Sequence, residues 1–140
     1  METKVSGLLI ITDVENSNGR IYPKEVFEKA IAEYQKKIDA GTSYGTLGYN
    51  KSYMTDLTMV SHIVNKIEVS GSFVNCDITI LDTPCGATVK SLFESGEAII
   101  RPCGTGTINS NHVVEDYVLV STAVILKNED AFAEVLEKSN

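Results

Sequence analysis

The sequence predicts an α+β fold, a small antiparallel β-barrel or sheet flanked by about three helices, as one domain over residues 1–140. Three observations carry that expectation. From Phe73 to Leu81, Val74, Cys76, Ile78 and Ile80 share one face while Asn75, Asp77 and Thr79 share the other, the period-two pattern of a strand buried on one side. From Lys24 to Ile38, the apolar Phe27, Ala30, Ile31, Tyr34 and Ile38 fall on one stripe at helical spacing, with charges opposite. The elements run β-α-β-β-α-β-β-α with hairpins among the strands, which suits a half-closed antiparallel sheet covered by helices.

Taken in order, residues 4–12 are β-branched and apolar enough for a buried strand. Asn18-Gly19 supplies turn chemistry and Pro23 opens the first helix, which Gly41 ends. A Gly-, Ser-, Tyr- and Asn-rich loop follows to residue 56. Strands over 57–69 and 73–81, joined at Ser70-Gly71, form a hairpin. Asp82-Thr83-Pro84 starts a second helix with Val89, Leu92 and Phe93 inward, and Gly96 stops it. Strands return at 97–101 and 112–126, and a last helix, capped by Asn128 or Asp130, buries Phe132, Val135 and Leu136.

Composition removes several function classes. The chain carries 12 Lys+Arg against 19 Asp+Glu, a net charge of −7, which disfavours non-specific nucleic-acid binding. No apolar run reaches the ~18 residues of a membrane span, and the N-terminus lacks the basic and apolar regions of a secretory signal. Cys76, Cys85 and Cys103 are odd in number and widely spaced, fitting neither a disulfide framework nor a zinc site, so a reduced, cytosolic setting is expected. No cofactor is implied.

Few residues offer self-evident chemistry. The GTGT at 104–107 lacks the frame of a phosphate-binding loop and reads as a tight turn. Glu115-Asp116 and Glu129-Asp130 are sequence neighbours, which a strand points to opposite faces, so they read as solvated charge or caps. His62 shares a strand face with Thr58, Val60 and Val64, where it serves either as a base or as a satisfied structural histidine. His112 reads as exposed. Cys103, with Arg101 as a neighbouring cation, is the one cysteine placed where a nucleophile could sit, and otherwise a structural thiol.

Four segments in order are more specific together than any is alone: NGRIYP at 18–23, GTLGYN at 45–50, VSHIVNKIEVSGSFVNCDITILDTPCG at 60–86, and ESGEAIIRPCGTGTI at 94–108 with VVEDYVLVSTAVI at 113–125. Over nearly the whole chain they resemble the prohead core proteases of tailed bacteriophages, the T4-type capsid-maturation serine proteases, whose fold is shared with the herpesvirus assemblins. The resemblance implies a base histidine followed by proline where this chain has Tyr49 and Asn50. It implies a nucleophilic serine where Arg101 or Pro102 stands. Tyrosine, with a pKa of ~10, is a poor proton acceptor at neutral pH. Neither arginine nor proline can attack a carbonyl.

The expected function is therefore non-catalytic. The chain would bind phage structural or scaffold proteins, or copies of itself, in capsid or virion assembly, in the host cytoplasm or the particle. Tyr44, Tyr49 and Tyr53 either form a contact surface or pack their loop. One alternative is a working maturation protease, with Cys103 as nucleophile, His62 as base and Glu115 or Asp116 as orienter, if the nucleophile segment aligns a residue or two further along. Another is an inhibitor of a phage or host protein. The chain starts at the first core strand and stops soon after the last, so no removable propeptide is expected.

Overall fold

The computed structural model describes residues 3–16, 19–49, 55–127 and 135–138. Seven strands form one curled sheet in the order β1-β4-β3-β2-β6-β5-β7. They are β1 (Thr3–Ile11), β2 (Tyr44–Leu47), β3 (Val60–Ser70), β4 (Phe73–Ile80), β5 (Ala98–Ile108), β6 (Val114–Leu126) and β7 (Val135–Lys138). Two α-helices, α1 (Lys24–Ala40) and α2 (Pro84–Glu94), pack on it, and a 3-10 turn covers Leu57–Met59. The fold is α+β, as the element order implied.

The alternation in β4 is realised: Val74, Cys76 and Ile78 are fully buried, opposite Val69, Ile67 and Val64 of β3. β1 covers the other side of β4, placing Gly7 opposite Cys76. A Cβ on Gly7 would stand 3.4 Å from the Ile100 side chain of β5, so the sheet curls until β1 meets β5. Arg101 closes that seam by donating from Nη1 to the Leu8 carbonyl at 3.1 Å. The main core takes Phe27, Ala30 and Tyr34 from α1 and Val89 from α2. There the Phe27 and Tyr117 rings stack, with centroids 5.6 Å apart.

Caps fix both helices. No side chain caps α1 at Pro23; instead the Lys24 amide donates to Oδ1 of Asp13, at 2.9 Å. Gly41 takes φ 73° after the last turn and donates to Ile38, the left-handed stop that glycine provides without strain. Thr83 caps α2 by accepting from the Gly86 amide at 2.9 Å, and donates to the Val60 carbonyl, pinning the helix to β3.

Several expectations change. β3 starts at Val60, because Asp56 accepts from the Thr58 amide and winds 57–59 into a 3-10 turn. Residues 44–47, expected in a loop, are β2, antiparallel to β3 but parallel to β6, so the sheet is mixed. The hairpin turns at Gly71 and Ser72, with Ser70 already paired to Phe73. Residues 104–107 are no turn; β5 runs through them with bulges. Their glycines serve close approach, since a Cβ on Gly104 would lie 2.4 Å from both the Tyr117 ring and the Val118 carbonyl. Two α-helices are present among the described residues, against the three expected. Asn128, Asp130 and Phe132 of the last helix lie outside the described residues, and Val135–Lys138 form a strand parallel to β5. Pairing there satisfies backbone groups that β5 would otherwise leave open at its edge.

Replacing Gly104 by Ala should destabilise the protein by roughly 2 kcal/mol or more, because backbone on one side and a packed ring on the other leave the methyl no room. Urea unfolding of Gly104→Ala should show a lowered midpoint at unchanged slope, and an unchanged midpoint would refute the close packing.

Candidate functional site

Two clusters, one polar and one largely apolar, lie on opposite faces of the central strands. The first is built around His62, fully buried on β3. A register shift between Gly45 and Thr46 places His62 opposite Gly45 and Val60 opposite Thr46, leaving Ser61 in a bulge. From there the Ser61 hydroxyl lies 2.7 Å from His62 Nδ1. The ring extends over Gly45 of β2 to reach β6, where Nε2 lies 2.7 Å from Thr122 Oγ1. A Cβ at Gly45 would fall 1.9 Å from Nε2, so only glycine allows the ring to pass.

Burial lowers the His62 pKa to about 4, so the ring is neutral at pH 7. A neutral imidazole has one donor and one acceptor nitrogen, and hydroxyls serve in either role, so both nitrogens are satisfied. The arrangement links β3 to β6 across β2 by side chains alone. Thr58, expected on the same strand face as His62, lies instead in the 3-10 turn.

The second constellation gathers the positions that the resemblance marks. Gly48 donates to the Val124 carbonyl at 2.8 Å, and Thr46 Oγ1 donates to the Gly48 carbonyl, fixing the end of β2. Tyr49 follows and packs with Ile99 against Cys103, Ala123 and Ile125. The base and nucleophile segments are thus adjacent in space. Arg101 stands between Ile99 and Cys103 on β5, but its Nη1 donates to the carbonyls of Leu8 and Ile100, at 3.1 and 2.8 Å. Pro102 is buried opposite Thr122. It lacks an amide, and β5 tolerates this because β7 pairs only with 105–108.

Cys103 and His62 are not brought together. Cys103 pairs with Ser121, whereas the hydroxyl held by His62 belongs to Thr122, the next residue, which faces the other side of the sheet. Nor do Glu115 and Asp116 approach His62: six residues of β6 separate Asp116 from Thr122, ~20 Å at ~3.3 Å per residue. Glu115 accepts from Asn109 Nδ2 at 2.9 Å on the surface. Tyr44 is 38% exposed at the start of β2, and Tyr53 lies outside the described residues. Cys76 is a core thiol whose pKa burial pushes up to about 12. Among the described residues no group of three potential ligands could hold a metal ion, and no helix is long and apolar enough to cross a membrane.

Sequence reasoning singled out His62 but not its partners. Ser61 was visible as its neighbour, whereas Gly45 read as part of a Gly-, Ser-, Tyr- and Asn-rich loop. Thr122 carried no signal, because sixty residues separate it from His62.

Comparison with known proteins places the fold. The family model described as prohead core protein serine protease matches residues 2–127. The solved structure of the bacteriophage T4 capsid assembly protease, gp21, aligns with a TM-score of 0.68 at 20% identity, covering 86% of this chain and 80% of that one. No curated protein matches.

The buried histidine has a consequence for stability. Its folded pKa of about 4 lies below the ordinary 6.5, so the fold favours the neutral ring. The contribution is complete above pH 6.5 and is lost as pH falls through 4, amounting to roughly 3 kcal/mol. A Tm series from pH 7.5 to 4 should therefore fall more steeply for wild type than for His62→Gln. Parallel curves would remove His62 from the acid sensitivity. Gly45→Ala should cost ~3 kcal/mol by displacing the ring.

Proposed function

The chain belongs to the prohead core protein serine protease family, and from that premise we propose that it is a non-catalytic member that works by binding other phage proteins during capsid assembly. The absence of a usable base and nucleophile at the positions that the resemblance marks supports this reading. Tyr49, where the resemblance puts the base, is packed on an apolar cluster. Of Arg101 and Pro102, where it puts the nucleophile, Arg101 donates to the Leu8 carbonyl across the β1–β5 seam and to the Ile100 carbonyl of its own strand, and Pro102 is buried opposite Thr122. With neither group, residual catalysis rests on substrate binding and stray polarisation alone. The only buried histidine is neutral, enclosed and bonded at both nitrogens.

The name of gp21 ties that protein to capsid assembly. On this reading the present chain meets phage structural or scaffold proteins in the host cytoplasm or on the assembling particle, and keeps the fold as a docking platform.

Purified protein incubated with the capsid and scaffold proteins of its phage should produce no new termini by mass spectrometry, and should itself remain intact. The intact chain should co-purify with assembling particles. Specific cleavage that is lost in Cys103→Ala would overturn the proposal in favour of a cysteine peptidase. Absence from particles and from pull-downs of capsid proteins would overturn the binding role.

A further inference from the structure

β7 is held along one side only. Its four residues pair parallel with β5, from Thr105 with Val135 to Ile108 with Lys138, and among the described residues no other strand flanks it. It also lies beyond residue 127, where the family match ends. A four-residue parallel strand at a sheet edge makes few hydrogen bonds and belongs to the low-stability end of a fold.

The route to β7 is tightly constrained. β6 runs antiparallel beside β5 until the Lys127 amide donates to the Glu97 carbonyl at 2.9 Å. The chain must then return from the level of Glu97 to that of Thr105, where Val135 pairs. Eight residue steps separate those levels, ~26 Å at ~3.3 Å each. Passing from β6 across β5 to β7 adds two strand spacings, ~10 Å sideways. Lys127 and Val135 are thus ~28 Å apart when the strand pairs within its own chain. Eight steps of fully extended backbone reach only ~26–29 Å. Closure within one chain has almost no slack.

We propose that Val135–Lys138 of one chain adds to the 105–108 edge of β5 in a second copy, which returns its own β7 in exchange, giving a two-fold dimer. A lightly held terminal strand on a connection without slack meets the condition under which identical chains exchange an element. The register names the occupant, because β7 is the segment that already complements this edge. The other edge of β5, paired with β6, is untouched by the exchange. The inference concerns β5 and β7 alone, so it does not depend on whether the Tyr49–Cys103 cluster can cleave peptides.

Thr107 and Glu137 stand opposite each other and report the pairing. Changed together to Cys in a Cys85→Ser background, they fall within disulfide reach, while Cys76 and Cys103 stay buried. Sedimentation of the full chain should show a concentration-dependent dimer. Oxidising the Thr107→Cys, Glu137→Cys variant when concentrated should give a covalent dimer, and when dilute an internal bridge. Deleting Glu129–Ala131 leaves five steps, ~18 Å of reach, and should tighten the dimer at least tenfold. Inserting Gly-Ser-Gly-Ser after Asp130 adds ~13 Å of reach and should weaken it about tenfold. A chain that stays monomeric and bridges only internally at every concentration would overturn the proposal. So would a deletion variant that keeps its melting temperature yet remains monomeric, or a dimer without the interchain bridge, which would place self-association on another surface.

Discussion

Everything near the centre of this protein depends on one imidazole lying across one glycine. β2 is four residues long and joins strands that otherwise never meet, β3 on one side and β6 on the other. His62 reinforces that short bridge by reaching over Gly45 to Thr122, while the bulged Ser61 secures its other nitrogen. Losing the ring would leave two buried hydroxyls unsatisfied beside a cavity, and each fault alone costs of the order of 1–3 kcal/mol. The network makes β2 dependable as a support, and β2 in turn delivers Tyr49 to its place against β5 and β6.

The same support holds the two segments that the resemblance marks. The resemblance implies a base just past the end of β2 and a nucleophile on β5, two strands of the one sheet. Here the scaffold still brings the two segments together, but Tyr49 contributes packing and Arg101 a clasp between β1 and β5. Arginine suits the second role, since its fork of donors can satisfy two carbonyls at once.

How far the residues disclosed this depended on the range of the interaction. α1, the β3–β4 hairpin and α2 were legible because their signals are local: the apolar stripe from Phe27 to Ile38, the alternation from Val74 to Ile80, and the Thr83-Pro84 start. The short β2 was not, since four residues, one of them glycine, inside a Gly-, Ser-, Tyr- and Asn-rich segment become a strand only when neighbours on both sides claim their backbone. The same applies to the glycines at 104 and 106, which read locally as a turn but exist to let Tyr117 and the β6 backbone come close. For the site, the segment pattern marked Tyr49, Arg101 and Cys103, and the structure brings Tyr49 and Cys103 into one cluster. Which face each residue takes, and therefore the separation of Cys103 from His62, follows from bulges that no local pattern reveals.

His62 is buried, neutral and bonded at both ring nitrogens, a structural role. Following the ring nitrogens of His62 by 15N NMR from pH 8 to 4 tests it most directly. A single neutral tautomer is expected throughout the neutral range, with protonation only near pH 4 and together with unfolding. A titration between pH 6 and 7.5 in the folded protein, shifted when Cys103 is alkylated, would contradict it and identify a working catalytic pair.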